Sequence, residues 1–145
     1  MSDEELIERF ENCTLAGKDF HHRDHVRVAW LYLRGNSVLE TLGKFSGGLK
    51  RFASVNGKPN LYHETITWAY VFLIHERMMR NGSEHGWAKF VEANADLFDW
   101  QESILKSYYR DETLSSEQAR GNFVLPDRFP HSRRPEDAPG LEFKL

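Results

Sequence analysis

The segment from Leu61 to Arg80 constrains this chain most: it has the length of a long helix and is apolar nearly all round. A helix advances ~100° per residue, so such a segment offers water little polar surface and needs neighbours on most sides. It predicts an all-α, single-domain helical bundle. No alternating strand pattern of any length competes with it, and there is no repeat or low-complexity stretch. The 145 residues are enough for one domain with its own core.

The remaining elements follow from capping and breaking residues. Leu6, Ile7 and Phe10 at helical spacing, after an acidic first turn, predict a helix over Asp3–Asn12 that Gly17 breaks. Asp19 is the expected cap of a second helix ending near Arg34, before Gly35-Asn36. Ser37 is the expected cap of a third, striped by Val38, Leu42, Phe45, Leu49 and Phe52. Gly43, Gly47 and Gly48 predict close packing or a kink there. Asn56 to Asn60 reads as a turn, with Asn60 capping the central helix. Trp87–Asn94, Trp100–Tyr109 and Ser115–Arg120 complete a bundle of five to seven helices. The second and central helices are expected to pair antiparallel, as neighbours in a bundle commonly do. Four of the five prolines follow Asn122, so the helical domain is expected over 1–121 and an extended tail, wrapped on it or frayed, over 122–145.

Charge and cysteine content narrow the function classes. Nineteen Lys and Arg against 22 Asp and Glu give a net charge of -3, which argues against a nucleic-acid-binding domain. Arg23, Arg27 and Arg34 form a basic stripe on the second helix, which a solvated face explains as well as DNA does. The single Cys13 excludes an internal disulfide and an all-cysteine zinc site, and suits a reducing compartment. The opening Met-Ser-Asp-Glu-Glu is acidic where a signal peptide would be basic, and the longest apolar run, Trp68–Ile74, is far short of the ~18 residues of a membrane span. A cytoplasmic protein without membrane contact is expected, and the Trp- and Tyr-rich composition suggests a homodimer. No nucleotide-cofactor motif is present.

One polar constellation stands out. On the second helix, His22 and His25 fall opposite Arg27, on the face of Ala29 and Tyr32, with His21 and Asp24 on its flanks. On the central helix the most continuous apolar stripe is Trp68, Val71, Phe72, Met78 and Met79, and Glu64 and His75 lie on it. A glutamate there needs a partner, because a buried carboxylate is costly alone. His63 falls on the neighbouring flank with Thr67, Tyr70 and Ile74. For His75 and His85 a backbone carbonyl is the simplest partner.

The run Phe20-His21-His22-Arg23-Asp24-His25-Val26, followed by Tyr62-His63-Glu64-Thr65-Ile66-Thr67, resembles the paired motifs of an uncharacterised family of small bacterial helical proteins. Tyr108-Tyr109, Leu114-Ser115-Ser116 and Phe123-Val124-Leu125-Pro126-Asp127 extend the resemblance over roughly residues 20–127. It implies that these stretches form one module and carries no activity with it.

Three readings of the constellation follow from the residues. In the first, His22, His25, His63 and Glu64 hold zinc or iron(II) in a hydrolase or oxygenase acting on a small molecule, with Asp24 or Glu64 as base. His22 and His25 reach one ion from one helical turn, although the His-Glu-x-x-His signature is absent because residue 67 is threonine. In the second, Glu64 charges a histidine, His25 above all, for acid–base chemistry on a substrate held by Trp30, Trp68 and Tyr70. In the third, the same aromatics and histidines form a ligand-binding or regulatory module without catalysis. Convergence of the two motifs requires the helices to run parallel, or to cross steeply, with their N-termini together, against the antiparallel default. It would also suit an anionic ligand.

Overall fold

Local side chains that reach the first free N–H groups decide where the helices of this chain begin. The computed structural model describes residues 1–81 and 85–128. Helix α1 (Asp3–Glu11) starts at Ser2, whose hydroxyl accepts the Glu5 N–H at 3.1 Å. Helix α2 (His22–Gly35) starts three residues later than Asp19, which sits in a 3-10 turn (Gly17–Asp19). Asp24 sets the start instead by accepting the His21 N–H at 3.0 Å. Helix α3 (Val38–Val55) has the expected Ser37 cap, with Glu40 reaching back to the Ser37 N–H. Asn60 lies in a second 3-10 turn (Pro59–Leu61), and α4 (Glu64–Asn81) begins where His63 Nδ1 accepts the Ile66 N–H at 3.1 Å.

Helices α5 (Trp87–Ala93), α6 (Asp111–Leu114) and α7 (Glu117–Gly121) are short. The fold is all-α, with no strand among the described residues. The helix expected over Trp100–Tyr109 shrinks to a 3-10 turn, Ile104–Ser107. Asp99 accepts the Glu102 N–H and Ser103 the Leu105 N–H, local bonds that compete with a helical ladder.

Helices α2, α3 and α4 form the core. The start of α2 meets the middle of α4, with the His22 and Tyr70 rings 4.9 Å apart, and farther along both helices Trp30 and Met78 border one hollow. The two therefore run in the same direction, and the antiparallel pairing is corrected. Helix α3 makes the return: Phe52 packs on Phe20 at 4.9 Å, and Lys44 lies over the Tyr32 ring at the other end of α2. Helix α1 packs close to α3 because residue 48 is glycine; a Cβ there would stand 2.5 Å from the Phe10 ring.

The buried side of α4 coincides only in part with the expected stripe. Phe72 and Met79 are 39% and 66% exposed, whereas Thr65, Thr67, Tyr70, Val71 and Ile74 are buried. The polar atoms on this face are satisfied: Thr65 donates to the Asn122 carbonyl at 2.6 Å and Thr67 to the His63 carbonyl at 2.7 Å. Once bonded in this way, a threonine packs like valine. Of the expected stripe, Val71 and Met78 are buried and Trp68 is half-buried, while Phe72 and Met79 face outward.

After α7 the chain runs without helix over 122–128 and stays on the bundle. Phe123 stacks on Trp68 at 5.4 Å, the Val124 N–H bonds Thr65 Oγ at 3.0 Å, and Asp127 bonds the Tyr108 carbonyl through its N–H. The rest of the expected tail, 129–145, lies outside the described residues. The three arginines of α2 are engaged with the protein: Arg27 with Asp3, Arg23 over Phe98, and Arg34 over Trp30. Among the described residues, no helix is long and apolar enough to cross a membrane.

Candidate functional site

Between α2, α3 and α4 lies a cavity of about 290 Å³. Val26, Leu49, Ile66 and Ile74 give it aliphatic walls, Phe45 closes it on the α3 side, and Trp100 covers its outer edge. Four polar side chains interrupt these walls: His22, His25, Thr67 and Tyr70. They come from one turn of α2 and from the buried flank of α4.

The hydrogen bonds fix the protonation of His22. Its Nε2 lies 2.8 Å from the Leu97 carbonyl oxygen, which can only accept, so the hydrogen is on Nε2 and Nδ1 is left as an acceptor. The ring packs 4.9 Å from both Tyr70 and Trp100. Burial holds its pKa below the usual histidine value, against the opposing pull of the Leu97 bond.

His25 differs. Its ring leans on Phe20 at 4.2 Å, and neither ring nitrogen has a hydrogen-bond partner among the described residues. Burial first, and then the neighbouring His22, lowers its pKa to about 4. At neutral pH the site thus holds an uncharged imidazole with one N–H and one lone pair, both unused.

The second motif builds something else. His63 takes the Ile66 N–H on Nδ1 and gives its Nε2 hydrogen to the Leu114 carbonyl at 2.7 Å. Both nitrogens are occupied, so His63 joins α4 to α6 and has no lone pair for a metal or a proton. Glu64 accepts the Tyr62 hydroxyl and has Lys50 Nζ at 3.8 Å. Its partner is a tyrosine rather than a histidine, and Glu64 does not line the cavity. The Tyr62 phenol is pushed well up, by burial first and then by Glu64.

His22, His25, His63 and Glu64 are therefore not gathered as the sequence suggested. Among the described residues, no group of three or more His, Cys, Asp or Glu side chains is placed to hold one metal ion. The parallel helices that convergence required are present, but they are staggered. The first turn of α2 meets α4 at Tyr70, six residues past Glu64, or ~9 Å along the helix axis. Two imidazoles alone do not fit the three-ligand zinc or iron(II) set. Asp24, expected as a base, caps α2.

Of the three aromatics expected to hold a ligand, only Tyr70 lines the cavity, with its hydroxyl bonded to Ser103 at 2.8 Å. Trp30 is buried against Trp87 at 5.2 Å, and Trp68 stacks on Phe123. The sequence reading missed Thr67 and Trp100. Thr67 was legible as part of a helical flank with Tyr70 and Ile74, whereas nothing local to Trp100 places its indole across a cavity. Comparison of the chain with protein-family models, curated proteins and solved structures finds no significant match.

Proposed function

We propose that this protein binds a small molecule in the cavity between α2, α3 and α4, with His25 as the polar anchor. The observation that carries this reading is the His25 imidazole, which lines the cavity half-buried and is bonded to no other group among the described residues. Apolar walls with a few convergent polar groups are the usual make-up of a small-molecule site. The reading is of a ligand-binding or regulatory module. The acid–base alternative loses its support because Glu64 faces Tyr62 and Lys50, and the metal alternative finds no third ligand among the described residues.

Thermal unfolding with a panel of neutral aromatics (toluene, indole, 1-methylindole and quinoline) tests the reading. At least one should raise Tm progressively, since a ligand at 100 times its Kd stabilises by about 2.7 kcal/mol. Leu49→Trp places an indole into the space and should abolish the rise while leaving a folded helical protein. A Tm indifferent to the whole panel, or a rise that survives Leu49→Trp, overturns it.

A further inference from the structure

We propose that the ligand is a neutral two-ring aromatic molecule bearing one hydroxyl or N–H donor, and that His25 accepts that hydrogen. This inference rests on the cavity being a ligand site and adds to it the chemistry of the ligand. Size comes first. An engineered apolar cavity of ~150 Å³ holds one benzene; about 290 Å³ is roughly twice that space, enough for two fused rings. Trp100 and Tyr70 both border the space and offer an aromatic ligand ring contacts there.

Polarity comes next, and the hydrogen bonds already made decide it. His22 gives its only hydrogen to Leu97, leaving Nδ1 as an acceptor. Thr67 gives its hydroxyl hydrogen to the His63 carbonyl, leaving oxygen lone pairs. The Tyr70 hydroxyl is paired with Ser103. His25 retains one lone pair and one N–H. The unused capacity around the cavity is therefore mostly accepting, and a ligand that brings a donor satisfies it.

Charge is decided by what is missing from the walls. Among the described residues, no Lys, Arg, Asp or Glu lines the cavity. A carboxylate ligand would find no cation there, and an ammonium no anion; either would lose hydration without compensation. The depressed basicity of His25 has the same origin, since this surrounding penalises a positive charge. The anionic ligand that two meeting helix N-termini would have favoured has no such meeting point, because α2 and α4 are staggered.

The matched probes are indole, 1-methylindole and indole-3-carboxylate, titrated into the full chain by calorimetry. Indole is expected to bind, 1-methylindole about fivefold to tenfold more weakly for the lost hydrogen bond, and indole-3-carboxylate not measurably. His25→Leu should remove the difference between the first two. A long-range proton–nitrogen NMR spectrum of the unmutated protein supplies a second readout. The unprotonated ring nitrogen of His25 should shift with indole and stay in place with 1-methylindole. Equal binding of indole and 1-methylindole, or tighter binding of the carboxylate, overturns the donor rule and leaves the cavity as a ligand site. Failure of all three probes to bind overturns the donor rule, and the cavity as a ligand site falls with it only if toluene and quinoline also leave Tm unchanged.

Discussion

His63 donates its Nε2 hydrogen to the Leu114 carbonyl at 2.7 Å, across 51 residues of chain. The same ring caps α4 through Nδ1, so one side chain fastens the start of the central helix to the C-terminal segment. His63→Ala should therefore lower unfolding stability by about 2 kcal/mol, for two lost hydrogen bonds, one of them to a half-buried carbonyl. His63→Asn, which can keep the cap, should recover part of it. Urea denaturation of the three proteins checks this, and equal stability of His63→Ala and the parent would return His63 to the list of free functional groups.

Acid should weaken the fold over a defined range. His25 is protonated near 6.5 in an unfolded chain and only near 4 in the folded one. Between those values the unfolded chain binds more protons, so stability falls as pH drops from about 6.5 toward 4 and is unaffected by His25 above it. The contribution of this one ring approaches roughly 3 kcal/mol at the acid end. His22 and His63, also lowered chiefly by burial, act in the same direction. Stability measured from pH 7.5 to 4.5 should slope in the parent and flatten in part in His25→Leu; parallel curves would mean that His25 is solvated.

Trp100 is 55% exposed, yet its ring packs on His22 and borders the cavity. Trp100→Ala should change Tm little while weakening indole about tenfold, as the loss of an aromatic contact of about 1 kcal/mol or more implies. A large drop in Tm with unchanged affinity would make Trp100 a packing residue alone.

Gly48→Ala should destabilise by about 1–3 kcal/mol, because its Cβ would meet the Phe10 ring at 2.5 Å. Phe10→Leu in the same chain should offset part of the loss, and the non-additivity is read from a double-mutant cycle. Additive effects would separate the two positions.

The helices that were legible in the sequence are those whose signals are local. Ser37 and Glu40 spell a capping box, and α3 begins there. Asp19 and Asn60 are equally good caps on paper, but the 3-10 turns in which they lie leave the role to His21-Asp24 and to His63. The site was half legible for a related reason. The wheel of α2 correctly turns His22 and His25 inward, since helix geometry alone decides that. The fate of His63 and Glu64 depended on Leu114, Tyr62 and Lys50 and on the stagger of α4 against α2, none of which leaves a periodic trace. The polar part of the buried face of α4 was harder to read because Thr65 and Tyr70 bury their polar ends in bonds to distant groups.

The most direct test of the His25 cavity is a histidine-resolved NMR titration of the intact protein with and without indole. The expected result is a His25 ring that stays neutral down to about pH 4 and whose signals move on adding indole, while those of His63 do not. A His25 that titrates near the ordinary histidine value of 6.5 and ignores indole would contradict it.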